Sequence, residues 1–395
     1  MAEYDITIVG GGMIGLSLAA ALTQQCELNI ALVNQQPLLP AAAMDFDPVD
    51  QRFSAINAAS EQFLKDLGAW ARIMERGISP YYRMVVWDAG GQGAIEFDSR
   101  DIARPHLGHI IANSVLQSAL YEQINDQPHV DLFCPAQPAT LIQDPHLMGL
   151  NLANGKTLVS KLLVGADGAN SWVRDQAGIS LRQWSYQQCA LTATVSTEKP
   201  HQKTAWQRFL PSGPLAFLPL ANPQHCSIVW TVGEEQANYL LTLDKTEFNQ
   251  KLAESFDWRL GEVQVVGKKT VFPLQMRHVK QYVKPRLALL GDAAHTLHPL
   301  AGQGLNLGFA DAKYLTEILV AAAQGGDDIG DFRLLRRYER ARKAANWEMI
   351  AAVEGFKRLF SNDSVHLSML RNMGLNLTNK FQLLKSMIMR RAMGI

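Results

Sequence analysis

The chain of 395 residues is about two to three times the length of a usual domain, which predicts two or three domains and excludes one small module. Its 47% hydrophobic and 19% charged residues are typical of globular proteins and exclude a disordered, collagen-like or coiled-coil chain. Lys+Arg and Asp+Glu both number 37, so no overall positive charge favours a nucleic acid partner. Four cysteines without a C-x-x-C pair indicate reduced, cytoplasmic thiols and predict neither disulfides nor a metal site.

The N-terminal segment predicts a β-α-β unit. Residues 4–9 are a β-rich run, residues 10–15 a glycine-rich turn, residues 16–24 a helix and residues 30–33 a second buried strand. Glu3 and Asp5 precede the apolar run, where a signal peptide would carry positive charge, and four glycines interrupt it. We therefore expect neither a signal peptide nor a membrane span here.

The middle of the chain predicts mainly strands. Strands are expected at residues 84–87 and 94–97, a helix at 110–124, and a hairpin around Asn154-Gly155. Residues 181–271 have a strand pattern, and residues 287–290 form a buried strand before another glycine-rich turn. After residue 305 the pattern is helical almost to the end. The N-terminal unit and the strand near residue 290 are predicted to share one sheet, with a β-rich domain inserted between them.

The first motif is Gly10-x-Gly12-x-x-Gly15, between a strand and a helix. In such a turn one glycine permits the bend, the second lets a pyrophosphate approach the backbone, and the third lets helix and strand pack closely. A ribose-binding acid is expected about 20 residues further on, where this chain has Asn34. The alternative is a glycine turn without a ligand.

Two further motifs follow buried strands. Asp167-Gly168 precedes Ser171, which is predicted to cap a helix carrying Arg174, so a plain capped turn stays open as an interpretation. Asp292, in a Gly291-Asp292 pair, can accept hydrogen bonds from a polyol. The glycines at 302 and 304 leave N–H groups free to stabilise negative charge on an electron-poor ring. The structural demands of a crossover turn are the alternative for this last segment.

Together and in this order, the three motifs resemble the class A FAD-dependent monooxygenases of the para-hydroxybenzoate hydroxylase type, over residues 4–345. Residues 52–60, 106–109, 165–171 and 291–308 are similar to the ubiquinone-biosynthesis hydroxylases. Residues 215–220 and 226–230 resemble their 2-polyprenylphenol hydroxylase branch.

The resemblance implies an α/β fold with a Rossmann-like FAD-binding domain, an inserted β-rich substrate domain and a helical C-terminal extension. The FAD-binding domain would comprise residues 1–75, 106–180 and 284–345. The substrate domain would comprise residues 76–105 and 181–283, and the extension residues 346–395.

The resemblance also implies roles for individual residues toward FAD. Gly10, Gly12 and Gly15 would hold the pyrophosphate, and Asn34 would meet the adenosine ribose in place of an acid, with weaker retention of FAD. The remaining assignments follow the cofactor from its phosphates to its ring: Arg52 along the phosphates, Asp167 in the pyrophosphate region, Gly291 and Asp292 at the ribityl chain, and Pro299, Gly302, Gln303, Gly304 and Asn306 at the isoalloxazine.

The implied activity is hydroxylation of the aromatic ring of a polyprenylated phenol or benzoquinol in ubiquinone biosynthesis. Reduced flavin would react with O2 to give a C4a-hydroperoxide, which the electron-rich ring attacks, and NAD(P)H would supply the electrons. No catalytic base can be assigned, since His109, Tyr186, His225 and Tyr282 are equally explained as packed or surface residues. The rival functions are another class A flavin oxidoreductase acting on a different substrate, and a nucleotide- or lipid-binding scaffold with little turnover. A ubiquinone-biosynthesis complex and a homo-oligomer both stay open as assemblies.

The C-terminal part of the chain is basic, with a net charge of +9 over residues 333–395. Apolar residues recur there at steps of three and four: Leu370, Met373, Leu377, Phe381, Leu384 and Ile388. Such a basic amphipathic helix can rest on an anionic membrane, and it can equally pack on its own domain or on a partner subunit. The protein is therefore expected in the cytoplasm, with peripheral contact at the inner membrane as an additional hypothesis.

Overall fold

The computed structural model describes residues 2–38, 52–91, 93–296, 303–360 and 381–395. Its first sheet has eight strands, in the order β18-β19-β11-β1-β2-β8, with β10 and β9 added beside β11. These strands are β1 Ala2–Val9, β2 Ile30–Val33, β8 Val130–Phe133, β9 Pro138–Gln143, β10 Met148–Leu152, β11 Thr157–Gly165, β18 Val283–Lys284 and β19 Leu287–Leu289. The four strands β19, β11, β1 and β2 are mutually parallel. The prediction that the N-terminal unit and the strand near residue 290 share one sheet is confirmed.

Helices cover this sheet, because parallel strands bury both faces. The helices of this part of the chain are α1 Met13–Gln25, α2 Ala58–Asp66, α3 Trp70–Glu75, α4 Asn113–Ile124, α5 Trp172–Gln176, α8 Gly304–Gly325 and α9 Phe332–Phe360. Ile6, Ile8 and Leu16 are fully buried in the resulting core. The predicted hairpin at Asn154-Gly155 is confirmed as the antiparallel pair β10–β11, with Gly155 at a φ of +84°.

The second sheet has nine strands and is mostly antiparallel. Its order is β20-β17-β12-β15-β14-β13-β5-β6, with β16 beside β12. The strands are β5 Arg83–Asp88, β6 Ala94–Asp98, β12 Leu181–Thr197, β13 Thr204–Leu210, β14 Gly213–Pro219, β15 His225–Gly233, β16 Val263–Val265, β17 Thr270–Val279 and β20 His295–Thr296. A separate core forms here, in which the rings of Phe217 and Phe256 stack at 3.8 Å between centroids.

Two helices interrupt the region that the pattern assigned to strands, α6 Glu234–Thr242 and α7 Lys245–Ser255. Helix α7 begins with a capping box, in which Asp244 accepts from the Glu247 amide and Glu247 accepts from the Asp244 amide. The prediction that residues 181–271 are mainly strands holds, but it did not include these two helices, of which α7 carries its own local start signal.

A third sheet is small and lies next to α2 in the sequence. It pairs β7 Gly108–Ala112 with β3 Phe53–Ile56 and β4 Ser79–Tyr81. The helix predicted from residue 110 instead begins at Asn113, because residues 110–112 complete strand β7. The predicted domain boundaries stay a prediction, and β4, which they place in the β-rich domain, pairs here with β7.

The described residues of the C-terminal part are mostly helical, as expected, and Leu370, Met373 and Leu377 of the predicted apolar stripe lie outside them. Helix α10, Gln382–Ala392, follows α9 after residues outside the described ranges. Within the described part of the chain, no helix is both long and apolar enough to cross a membrane.

Candidate functional site

The three motifs lie at one edge of the first sheet. Gly10, Asn34, Gly165 and Leu290 end or directly follow parallel strands, and backbone hydrogen bonds join neighbouring strand ends. The amide of Gly10 donates to Val33, and that of Leu290 donates to Gly165, at 2.8 and 2.9 Å. In open α/β sheets, ligands bind outside the carboxyl ends of the strands, so this edge is the expected position of a dinucleotide.

The glycines at positions 10, 12 and 15 of the first turn are not needed for the same structural reason. A Cβ on Gly10, whose φ is +119°, would lie 2.3 Å from the Ala166 carbonyl oxygen, and one on Gly15 would lie 1.9 Å from the Gly10 carbonyl oxygen. A Cβ on Gly12 would meet no described atom within 4 Å. Gly10 and Gly15 are therefore required by the chain's own packing, whereas Gly12 leaves open space on the outside of the turn.

Helix α1 starts at this open space. Its N-cap is Gly12, and among the described residues no side chain caps it and no acid lies in its first turn. The first amide groups and the positive end of the helix dipole therefore face the space beside Gly12. This arrangement fits a pyrophosphate.

Asn34 is tied to the glycine turn. Its Oδ1 accepts from the Gly11 amide at 2.8 Å, and its Nδ2 donates to the Gln36 carbonyl at 2.8 Å. An acid in this position cannot make the second bond, because a carboxylate donates no proton. Asn34 thus holds the turn in shape from the end of β2, and its contact with a ribose stays a prediction.

Asp167 faces helix α5. Its carboxylate accepts from Ser171 Oγ at 2.5 Å and from the Val173 amide at 3.0 Å, while Ser171 itself caps the helix at Arg174. Burial raises the pKa of Asp167, and these hydrogen bonds act in the opposite direction. The predicted cap by Ser171 is confirmed, and the support of a pyrophosphate by Asp167 stays a prediction.

Two arginines join the second motif to its surroundings. The buried Arg174 donates to the carbonyls of Ala169 and Ala293, at 3.0 and 3.4 Å, and so links the second motif to the third. Arg277 on β17 donates to Ala169 and to Asn170 Oδ1, at 2.7 and 2.9 Å. Sequence analysis missed Arg277, since a single arginine in a strand carries no local signal.

Asp292 combines an exposed position with desolvation by the surrounding protein. It follows β19 in a 3-10 turn that begins at Gly291, and its side chain is exposed. Surrounding protein atoms nevertheless raise the pKa of Asp292 by desolvation, while the charges of His295, Arg52 and Arg277 lower it. An exposed carboxylate acceptor at this sheet edge fits a ligand with hydroxyl groups.

Arg52 lies near Asp292 and contacts the β-rich sheet. Its guanidinium carbon is 4.4 Å from the centroid of the Phe272 ring on β17, a cation–π contact between the small and the β-rich sheets. The guanidinium head is exposed, and its charge acts on Asp292.

The first turns of α8 pack against the turn that begins at Gly291. Gln303 precedes the helix, and a Cβ on Gly304 would meet no described atom within 4 Å. Asn306 is buried and holds the segment after β3, accepting from the Asn57 amide at 3.1 Å and donating to the Ala55 carbonyl at 2.9 Å. Pro299 and Gly302, predicted at the isoalloxazine, lie outside the described residues.

A buried charged network supports the turn after β19. Asp311 in α8 is fully buried; it accepts from the Gly291 amide at 3.2 Å and from Arg342 Nε in α9 at 2.7 Å, and lies 2.5 Å from His295 Nε2. Burial alone would raise the pKa of Asp311, but the charges of His295 and Arg342 hold it below its usual value. Asn346 extends the network to Tyr282. The available sequence signal was an acid, Asp311, within the apolar first half of α8.

The four base candidates do not converge. Tyr186 donates to Glu354, and Tyr282 is buried against His278 and Asn346; burial raises the pKa of both tyrosines well above the usual value. His109 lies 3.4 Å from Glu61, and His225 is on β15. A tyrosine with a raised pKa is a poor base, so the catalytic assignment stays open.

A dinucleotide-binding flavoprotein is the class of protein that this sheet edge and these turns define. The family model for an FAD binding domain matches residues 3–353. The chain is 37% identical to the 3-demethoxyubiquinol 3-hydroxylase of Escherichia coli over 391 residues, covering 99% of this chain and 98% of that protein. It is 36% identical to the mitochondrial ubiquinone biosynthesis monooxygenase COQ6 of Danio rerio, covering 98% and 89%. The p-nitrophenol 4-monooxygenase of Pseudomonas putida has the same fold, with a TM-score of 0.81 at 17% identity, covering 100% and 99% of the two chains.

The chain belongs to the family of FAD-dependent monooxygenases that includes the ubiquinone-biosynthesis hydroxylases. FAD as cofactor, the monooxygenase class and the α/β fold are thereby confirmed. The alternative of a scaffold with little turnover has no support in these comparisons, because the relatives are named as hydroxylases or monooxygenases. The 2-polyprenylphenol hydroxylase branch stays a prediction.

Proposed function

We propose that this protein hydroxylates the aromatic ring of a polyprenylated phenol or benzoquinol in ubiquinone biosynthesis, using O2 and electrons from NAD(P)H. The observation that carries the proposal is the similarity over essentially the whole chain to hydroxylases of this pathway. The geometry of the site supports it, because open space beside Gly12 and the exposed carboxylate of Asp292 lie at one sheet edge.

The residues present fit FAD. The α1 amides beside Gly12 would bind the pyrophosphate, Asp292 the ribityl hydroxyls, and the open start of α8 at Gly304 the ring system. When bound, the flavin supplies the activation of O2 for transfer of one oxygen atom to the ring. The protein's part is to position the phosphates and the polyol, and to keep water from the reacting ring.

The test combines flavin content with quinone analysis. Cells lacking the protein are expected to accumulate a prenylated precursor that lacks one hydroxyl group, detected by mass spectrometry. Re-expression of the wild-type chain should restore the product, whereas Gly12→Ala, which fills the opening for the pyrophosphate, should not. The position of the missing hydroxyl identifies the ring carbon and tests the branch assignment.

A purified protein with the absorption spectrum of FAD, but without an effect on quinones in cells, would contradict the proposed substrate and leave the family unchanged. The electron donor can be identified by assaying the purified enzyme with NADH alone and with NADPH alone. The donor is the nucleotide without which no product forms.

We further propose that the protein contacts the membrane through α10. One side of this helix packs on the protein, where Met389 and Met393 contact Ile102 and Leu107, and Lys385 pairs with Asp101 at 2.6 Å. Its other residues leave apolar side chains in solvent, with Leu383 84% and Met387 68% exposed. Exposed Arg390 and Arg391 add positive charge suited to anionic lipid.

Flotation with anionic vesicles tests this contact. The double variant Leu383→Glu, Met387→Glu should lose vesicle binding without loss of thermal stability, because both side chains are exposed. Met74→Glu, at a comparably exposed methionine on α3, is the matched control. Equal binding by all three proteins would contradict the membrane role of α10. Deletion of residues 366–395 is a coarser test, since it also removes the Lys385–Asp101 ion pair.

A further inference from the structure

Two histidines and a glutamate meet on the side of α2 that faces the small sheet. Glu61 is in the first turn of α2, His106 precedes β7, and His109 lies within β7. Glu61 Oε2 lies 2.7 Å from His106 Nε2 and 3.4 Å from His109 Nδ1, and one ligand atom from each residue lies within 4.8 Å of the others. Among the described residues, the histidine and glutamate side chains of this group are spaced like metal ligands. We call it the Glu61 cluster.

One nitrogen of the cluster lacks a hydrogen bond. His109 is buried, at 4% exposure, and its Nδ1 is aimed at the cluster but has no hydrogen-bond partner among the described residues. The edge of the Trp70 ring packs against the imidazole at 5.1 Å between centroids, and so holds it in place. A buried polar nitrogen without a partner is costly, and a ligand that accepts its lone pair removes that cost.

The other two members leave room for an ion. His106 keeps 18% of its side chain exposed, which provides an entry from solvent. Lys65 is 2.6 Å from Glu61 Oε1, so it holds the outer carboxylate oxygen and leaves Oε2 directed at the imidazoles. An ion between the three atoms would replace the present contact between His106 and Oε2.

We propose that Glu61, His106 and His109 form a binding site for a divalent transition-metal ion of the Zn²⁺ type. Two imidazole nitrogens and one carboxylate oxygen are the donor set that Zn²⁺ takes in three-ligand protein sites, with water in the fourth position. The bound ion joins α2 to β7 and to the segment at residues 99–107, on which α10 packs. This inference is independent of the proposed activity.

The test uses the FAD-loaded protein after treatment with a chelator. Titration with ZnCl2, followed by desalting and metal analysis by mass spectrometry, should show one tightly bound Zn²⁺ per chain. Replacing even an outer partner of a metal ligand typically weakens binding about 10–100-fold, so His106→Gln and His109→Gln should weaken it at least as much. His146→Gln, at an exposed histidine outside the cluster, is the matched control and should bind like the wild type.

Two measurements separate a metal site from an ion-pair cluster. X-ray absorption at the zinc edge of the wild-type protein should show nitrogen and oxygen ligands at about 2.0–2.1 Å, including imidazole scattering. Lys65→Met should bind Zn²⁺ more tightly, because it removes a competing positive charge. The proposal is overturned if His106→Gln and His109→Gln bind Zn²⁺ as tightly as the wild type. It is also overturned if the zinc-edge spectrum shows no imidazole scattering. Either result holds even if another variant fails to fold.

Discussion

The turn after β1 and the turn after β19 lie at the same sheet edge, yet different interactions hold them. In the first turn, a Cβ on Gly10 or on Gly15 would collide with backbone atoms of the neighbouring strand end or of the turn itself. In the second, the Gly291 amide donates to Asp311 in α8, which in turn pairs with Arg342 in α9. The first turn therefore depends mainly on local backbone sterics, and the second on buried charges brought from distant segments. Backbone sterics and buried ion pairs can therefore both shape turns at the same edge of a sheet.

The largest effect is expected at Asp311. Asp311→Asn keeps the shape but removes the buried negative charge, which leaves Arg342 without its partner and should lower the free energy of unfolding by about 3–5 kcal/mol. Urea unfolding of the flavin-free protein measures this. Asp328→Asn removes an exposed carboxylate from its pair with Arg286, and the guanidinium keeps its bonds to the Pro145 and Lys161 carbonyls, so the change should cost only about 0–1 kcal/mol. Similar small losses in both would show that the second turn is also held locally.

The pH dependence of stability should report on the same network. Burial lowers the pKa of His278 from its usual 6.5 to about 4, with the charges of His295 and Lys343 acting in the same direction. Because the unfolded chain takes up this proton first, the stabilisation is complete above pH 6.5 and is lost as the pH falls toward 4, by on the order of 3 kcal/mol. His278→Gln should flatten urea-unfolding stability across this window. His129→Gln, at an exposed histidine, should keep the slope.

The first turn is tested by a pair of glycine variants. Gly15→Ala places a methyl group 1.9 Å from the Gly10 carbonyl oxygen, so it should cost about 1–3 kcal/mol of stability and also weaken FAD binding. Gly12→Ala meets no described atom and has a φ of −76°, so the flavin-free chain should change by less than about 1 kcal/mol. Its FAD affinity alone should fall. Equal FAD binding by Gly12→Ala and the wild type would remove the pyrophosphate from this turn.

The smallest effect on the fold is expected at Asp292, although it lies in the second turn. Asp292→Ala should weaken FAD binding by roughly 10–100-fold, the value of a hydrogen bond to a charged group. The flavin-free protein should not lose stability, because Asp292 is exposed and desolvation by the surrounding protein already disfavours its charged form. Fluorescence titration measures the FAD affinity, and thermal unfolding measures the stability of the flavin-free protein. Unchanged affinity would place the ribityl chain elsewhere.

Much of the first sheet could be predicted because its signals are local. A strand, three glycines and a helix follow each other within residues 4–24, and Asn154-Gly155 specifies its own hairpin. Helices α6 and α7 were missed although Asp244 and Glu247 carry a capping signal, because the surrounding strand pattern was extended across them. Strand β7 was merged with α4, since an apolar run before a helix has no marker of its own.

The hydrogen-bond partners of the site residues could not be predicted from the sequence. Asn34 was expected only at a ribose, and its bonds to Gly11 and Gln36 depend on how β2 meets the glycine turn. Asp167 was expected at the pyrophosphate, and its capping of α5 depends on where that helix starts.

By itself, the sequence determined the β-α-β unit, the order of the three motifs and their resemblance to FAD-dependent hydroxylases, because turns, glycines and strand periodicity act over a few residues. Only the tertiary structure decided that Asp311 and Arg342 support the Gly291 turn, and that Glu61 meets His106 and His109. Asp311 lies 20 positions from Gly291 and 31 from Arg342, and Glu61 lies 45 positions from His106. They meet because sheet pairing and helix packing bring their segments together, and burial then makes their charges and hydrogen bonds strong.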